Sequence, residues 1–285
     1  MGPSLSAAAS LSAVYGPTMD AGEFLGLQST HNPHRWYLPV VPGIATAGRF
    51  LFGGCGLGAA IVAMERVLDR PVVWATAQYL SFAMVDEVMD IDVTVASHGH
   101  FTSQARVVAR VGDREILTVN AALGSRPTPV DRGWGAAPLV PRPDECPQRH
   151  NRIVDEQLAG SIMDRLDIRL AVGAQWEDFP HAGTADGTSA LWVRLPNIDI
   201  SAASLAILGD YVPYGIAQAL GHWTRSNSLD NTLRTIRIVA SEWVLLDIAV
   251  HGVNQGFGHG RVHLWSEDGV RLGTASQTAI VREIE

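Results

Sequence analysis

Asp210 is the residue most able to do chemistry in this sequence. It is the only carboxylate in the stretch Ile200–Trp223, which reads ISAASLAILGDYVPYGIAQALGHW. Ser201 is a helix N-cap, and Ala202 to Leu208 are good helix formers with no charge on any face. A helix that is apolar all round is normally buried. An ionised carboxylate there is costly unless it is hydrogen-bonded or has a task. Held at a suitable proton affinity, it would serve as a general base. The competing reading is plain: Gly209 and Asp210 form an exposed helix end, where Asp is common.

Other reactive groups are less well placed. Cys55 lies in the run GGCGLG, from Gly53 to Gly58, at the start of a helix. A helix start stabilises a thiolate, but no partner base is evident, so Cys55 reads as packing. The same glycine run lacks the strand–helix–strand context of a dinucleotide site. Ten histidines are scattered without metal-ligand spacing inside any predicted element. His98 and His100 fall in a loop between strands. No cofactor and no metal are therefore expected.

The elements that must carry Asp210 follow from pattern. FLFGGCGLGAAIVAMERVL, from Phe50 to Leu68, predicts a helix over Leu57–Leu68 that stays apolar until Glu65 and Arg66. Strand-like runs follow at Val72–Phe82, Val88–Ser97 and Phe101–Val111. A Gly112-Asp113 turn then leads to Glu115–Leu123. Arg126–Arg152 is dense in Pro, Arg and Gly and reads as a linker. Ile153–Leu166 predicts a short amphipathic helix. Strands are next expected at Ile168–Gln175 and Ala190–Leu195. The Ile200 helix comes after them, ended or kinked by Pro213. Thr232–Ala240, Glu242–His251 and Gly260–Ser266 then precede an Asp268-Gly269 hairpin turn. Val270–Val281 closes the set.

The two halves repeat. FTSQARVVARVGDREILTVNA from Phe101 lies without gaps over FGHGRVHLWSEDGVRLGTASQ from Phe257. Upstream, Glu87–Val95 lies over Glu242–Val250. A period of about 155 residues means two copies of one domain rather than a solenoid. Each copy is a mostly buried helix plus a long antiparallel sheet. A sheet curled round a central helix satisfies both patterns, since the helix needs cover on every side.

Composition bounds the partners. The chain has 285 residues, is 47% hydrophobic and 18% charged, and carries a net charge of −8. That is a globular composition without a nucleic-acid surface. Two cysteines make no disulfide framework and fit a reducing, cytoplasmic setting. No apolar run approaches the roughly 20 residues of a membrane span.

Taken together, FGG (Phe52–Gly54), SLDN (Ser228–Asn231) and GRVHLWSEDGVRLGTASQTAIVR (Gly260–Arg282) resemble the acyl-CoA thioesterase II family. The resemblance covers the chain from about Phe50 onward. It implies an α+β double hotdog with two antiparallel sheets, each wrapped around a central helix. The implied organisation is a flexible leader over 1–20, an N-terminal hotdog over 21–125, a linker with a short helix over 126–166, and a C-terminal hotdog over 167–285. It also implies that Asp210, Ser228 and Gln277 jointly hold a water. The family often has His at the position of Asn231, and an aromatic-rich strand where this chain reads TLRTIRI.

The repeat bears on that trio independently. Gln277 aligns with Ala121, so only one copy carries the amide. The expectation is hydrolysis of a fatty acyl-CoA to free acid and coenzyme A by a carboxylate-activated water, in a homodimer or larger homo-oligomer. A non-catalytic acyl-CoA or acyl-chain binding protein is the alternative. Arg106 and Arg261 could reach a coenzyme A phosphate, although exposed strand arginines are usually just solvated.

Overall fold

A computed structural model describes residues 19–149, 160–180, 183–184 and 186–283. The leader up to residue 18 and the first half of the helix predicted over Ile153–Leu166 lie outside the described residues. The tail of that prediction, Ile162–Arg165, is a single 3₁₀ turn.

The first half begins with α1 (Ala21–Leu25), β1 (Gln28–Ser29) and β2 (Arg35–Pro39), followed by the helix α2 (Gly53–Leu68). It continues through β3 (Val72–Tyr79), β4 (Val88–His98), β5 (Thr102–Val111) and β6 (Arg114–Gly124). The second half holds β7 (Asp167–Val172), β8 (Thr188–Arg194), α3 (Ala202–Leu208) and α4 (Val212–Leu220). It ends with β9 (Thr224–Ser228), β10 (Asp230–Thr235), β11 (Val244–Asn254), β12 (Phe257–Ser266) and β13 (Arg271–Glu283).

The expectation of two sheets is corrected by the strand pairing. One 13-stranded sheet runs β1-β2-β4-β5-β6-β3-β10-β13-β12-β11-β8-β7, with β9 on β13. The two halves merge because β3 pairs antiparallel with β10. Thr76 sits opposite Thr232 there, and their hydroxyls hydrogen-bond at 2.7 Å across 156 residues of chain. That separation matches the repeat, so equivalent residues of the two halves meet at this seam.

The helices pack against the sheet. α2 packs on β3, β4, β5 and β6, while α4 packs on β8, β9, β11, β12 and β13. α2 is buried from Gly54 to Met64. Its glycines let it touch α3 backbone to backbone. A Cβ on Gly54 would stand 2.8 Å from the Ala206 carbonyl oxygen and the Ile207 Cα.

The helix expected to end or kink at Pro213 stops at Leu208, and a second helix follows from Val212. The break falls at Gly209–Tyr211 and not at Pro213, which occupies the first turn of α4 where its missing N–H costs nothing. Asp210 therefore sits on a corner between helices. The linker is partly a strap. Pro141 accepts a hydrogen bond from the Trp192 indole at 2.9 Å. Cys146 packs with Trp192, Trp243 and Trp265 in a second apolar cluster against the sheet.

Candidate functional site

Two breaks in regular structure create the site. One is the α3–α4 corner, which turns Asp210 inward. The other is the parting of the seam. Tyr79 donates its amide to the Leu229 carbonyl at 2.9 Å. Past that bond the chain after β3 and the strand β9 diverge. A cavity of about 410 Å³ enters through the gap.

The structure brings the three expected residues together. Asp210 is 8% exposed, and Gln277 is fully buried. The Gln277 side-chain amide donates to Asp210 Oδ1 and, at 3.1 Å, to Ser228 Oγ. Gln277 Oε1 accepts the Val212 N–H at 3.0 Å. That contact fixes the amide's orientation, because a backbone N–H can only face the oxygen end. The NH₂ end must then point at the carboxylate and the hydroxyl. The second carboxylate oxygen, Oδ2, accepts the Gly54 N–H at 2.6 Å. Gly54 belongs to the first turn of α2, where backbone donors lack helical partners and the helix dipole favours an anion.

Sequence reasoning found the carboxylate, the hydroxyl and the amide but missed the backbone donor. Its signal was present as the FGG motif. A Cβ on Gly53 would lie 2.8 Å from Asp210 Oδ2 and 3.1 Å from the Tyr79 hydroxyl. The paired glycines are needed for two separate close approaches.

Burial raises the Asp210 pKa to about 7, against the opposing pull of Gln277 and the Gly54 N–H. Desolvation favours the neutral acid, and two donors partly restore the anion. The group is poised to exchange a proton near neutral pH. Burial, followed by the Asp210 charge, holds Tyr79 well above its usual pKa, so it stays a neutral O–H donor. Tyr79 neighbours Asn231. Even so, neither the Tyr79 hydroxyl nor the Asn231 amide completes a hydrogen bond of good geometry.

The weaker candidates lie elsewhere. Cys55 is fully buried, and burial pushes its thiol well up, which fits packing. His98 closes β4 against the Ser103 hydroxyl at 3.0 Å. Arg106 is on β5, and Arg261 is on β12 beside His263 and Asp247. Neither arginine lines the cavity.

The cavity is lined from both halves. Phe50, Leu51, Phe52, Phe82, Ile116 and Leu117 come from the first half. Ser226, Asn227, Ile280 and Arg282 come from the second. Asp210 and Ser228 also border the cavity. Among the described residues, no helix is long and apolar enough to cross a membrane.

Comparison with known proteins gives this architecture a family. Residues 143–281 match the model of the acyl-CoA thioesterase C-terminal domain. A solved structure of a Novosphingobium aromaticivorans protein, assigned as a thioesterase, shares 30% identity. It superposes with a TM-score of 0.80, covering 90% of this chain and 98% of that one. An Alicyclobacillus acidocaldarius protein with a hot dog fold is 17% identical, with a TM-score of 0.80 over 93% of this chain and 98% of its own. The acyl-CoA thioesterase II TesB2 of Mycobacterium marinum is 19% identical, with a TM-score of 0.71 over 93% and 99%. No curated protein matches. Identity at the level of the Novosphingobium protein, across nearly all of both chains, means that this chain belongs to the acyl-CoA thioesterase family of hotdog thioester hydrolases.

Proposed function

We propose that the protein hydrolyses a fatty acyl-CoA to the free acid and coenzyme A by direct attack of water. The observation carrying this reading is the Gln277 bridge between Asp210 and Ser228 on the rim of a largely apolar cavity. A water at that rim donates a proton to the Asp210 carboxylate and accepts the Ser228 O–H, which is free because Ser228 Oγ accepts from Gln277. Fixing the water in this way lowers the entropic part of the barrier. The carboxylate takes the proton as the oxygen attacks the thioester carbon. The start of α2 and the Tyr79 hydroxyl border the same space and are suited to donating to the developing oxyanion. Collapse of the tetrahedral intermediate expels the coenzyme A thiolate. The proton on Asp210 passes to the departing sulfur, and the carboxylate is restored.

In this reading the architecture is a double hotdog. One copy spans 21–125 and the other 167–285, joined through the strap over 126–166. The aromatic and aliphatic residues take the acyl chain, so the first copy supplies the acyl wall and the oxyanion donors, and the second supplies the groups that hold the water.

The test is release of free thiol from a panel of acyl-CoA esters of increasing chain length. Turnover that depends on chain length is the expected result. Thermal stabilisation by acyl-CoA with no thiol release would instead establish the non-catalytic binding protein.

A further inference from the structure

Two arginines face one another across the β9–β13 pair, and one of them, Arg282, lines the cavity. Arg225 on β9 and Arg282 on β13 are direct partners in the strand register. Direct partners in an antiparallel pair project to the same side of the sheet. Both are exposed. Like charges placed opposite one another are destabilising, and nothing in the sheet requires them.

Among the described residues, neither arginine meets a carboxylate within ion-pair distance. Two arginines of the first half are different. Arg49 faces Asp86 at 3.6 Å, and Arg114 holds Glu87 at 2.7 Å. Arg282 is also held in place. Its Nη1 donates to Asn227 Oδ1 at 2.6 Å, and both residues line the cavity. One edge of the guanidinium is thereby anchored and its remaining donors are left for a ligand.

We infer that Arg225 and Arg282 form the docking point for the phosphates of the coenzyme A portion of the substrate. The inference rests on the thioesterase reading above. A paired guanidinium site matches phosphate oxygens in both charge and fork geometry. Its Arg282 member lines the same cavity as the apolar Phe50, Phe52, Phe82 and Ile116. An acyl-CoA is likewise anionic at one end and apolar at the other, with the thioester between. Seated this way, the ester reaches Asp210 while both ends are held. In a chain with a net charge of −8, the pair also gives an anionic substrate a local point of attraction.

The experiment uses the full chain with Arg225→Gln, Arg282→Gln and Arg282→Lys. Coenzyme A itself is titrated by calorimetry. In parallel, one acyl group is presented both as its coenzyme A ester and as its N-acetylcysteamine ester, which carries no phosphate. Each Gln variant is expected to weaken coenzyme A binding roughly ten-fold or more. The ratio of kcat/KM for the coenzyme A ester over the truncated ester should fall by a similar factor, and Lys at 282 should recover part of it. Dephospho-coenzyme A separates the 3′-phosphate from the pyrophosphate as the group engaged. An unchanged ratio, or equal losses on both esters, overturns the inference. If the parent protein cleaves neither ester, the hydrolase reading fails. The calorimetric comparison still decides whether the arginines hold the phosphates.

Discussion

Gly54 and Asp210 lie 156 residues apart in the chain and are joined by a 2.6 Å hydrogen bond from the Gly54 amide to Oδ2 of the acid. The bond crosses from one repeat to the other. It ties the proposed base to the start of α2 and makes the two halves partners in a single site.

Replacing Asp210 by Asn keeps the side chain's shape and removes the base. Steady-state thiol release is expected to drop roughly 10²–10⁴-fold. Circular dichroism and the melting temperature should show a folded protein, because the buried charge and its desolvation cost go as well. Undiminished turnover in a folded variant would take Asp210 out of the reaction.

The rate should follow the state of that acid. In the proposed reaction Asp210 works as the anion, and its pKa is held at about 7. The logarithm of kcat/KM should therefore climb with pH and level off above about 7. Stability should run the other way. The folded-state pKa lies above the unfolded value of about 3.9. The folded protein thus binds the extra proton, and the stabilisation is complete below that value. It fades as pH rises through 7. Urea midpoints at acid and mildly alkaline pH should show this decline in the parent and a smaller one in Asp210→Asn.

Gln277 tunes the acid and also holds the α4 corner. Gln277→Ala would strand the Val212 N–H and both neighbours of the amide in a buried place. A loss of about 1–3 kcal/mol in stability is expected. Gln277→Glu sets a second carboxyl beside Asp210, and two such groups resist joint ionisation. The rising limb of the pH–rate profile should then move to higher pH. A limb that stays in place would show that Gln277 does not bear on the acid.

The paired glycines should fail in different ways. A methyl on Gly54 meets the backbone of α3, at Ala206 and Ile207. Backbone cannot easily yield, so Gly54→Ala should cost about 1–3 kcal/mol of stability. A methyl on Gly53 meets the Asp210 carboxylate and the Tyr79 ring. Gly53→Ala should instead lower kcat more than it lowers the melting temperature. Equal melting losses for both would contradict this division.

Much of this arrangement was legible before any coordinates. Strand periodicity and turn dipeptides located the hairpins; Gly112 and Gly269 do turn with positive φ. A lone acid among Ala, Leu and Ile marked Asp210. What stayed hidden was long-range. The merging of the sheet depends on β3 finding β10, a pairing set by register between halves and not by local pattern. The five-residue strand β9 was missed because TRSNS has none of the branched or aromatic residues that signal a strand. The helix break was assigned to Pro213, since proline is the strongest local breaker. The actual corner is at Gly209, where a Cβ would stand 2.9 Å from Ala275 of β13. Tertiary crowding fixed the corner one turn early.

The Thr76–Thr232 seam carries a consequence for any fragment of this protein. Every side chain that handles the proposed water is encoded after residue 200, so a shortened gene could carry the whole polar trio. Its product would begin with a naked strand edge at β10 and an uncovered α3, both of which invite self-association. It would also have no amide to meet Asp210 Oδ2 and no wall for an acyl tail. Ancestral single copies could have escaped that fate only by finding a twin.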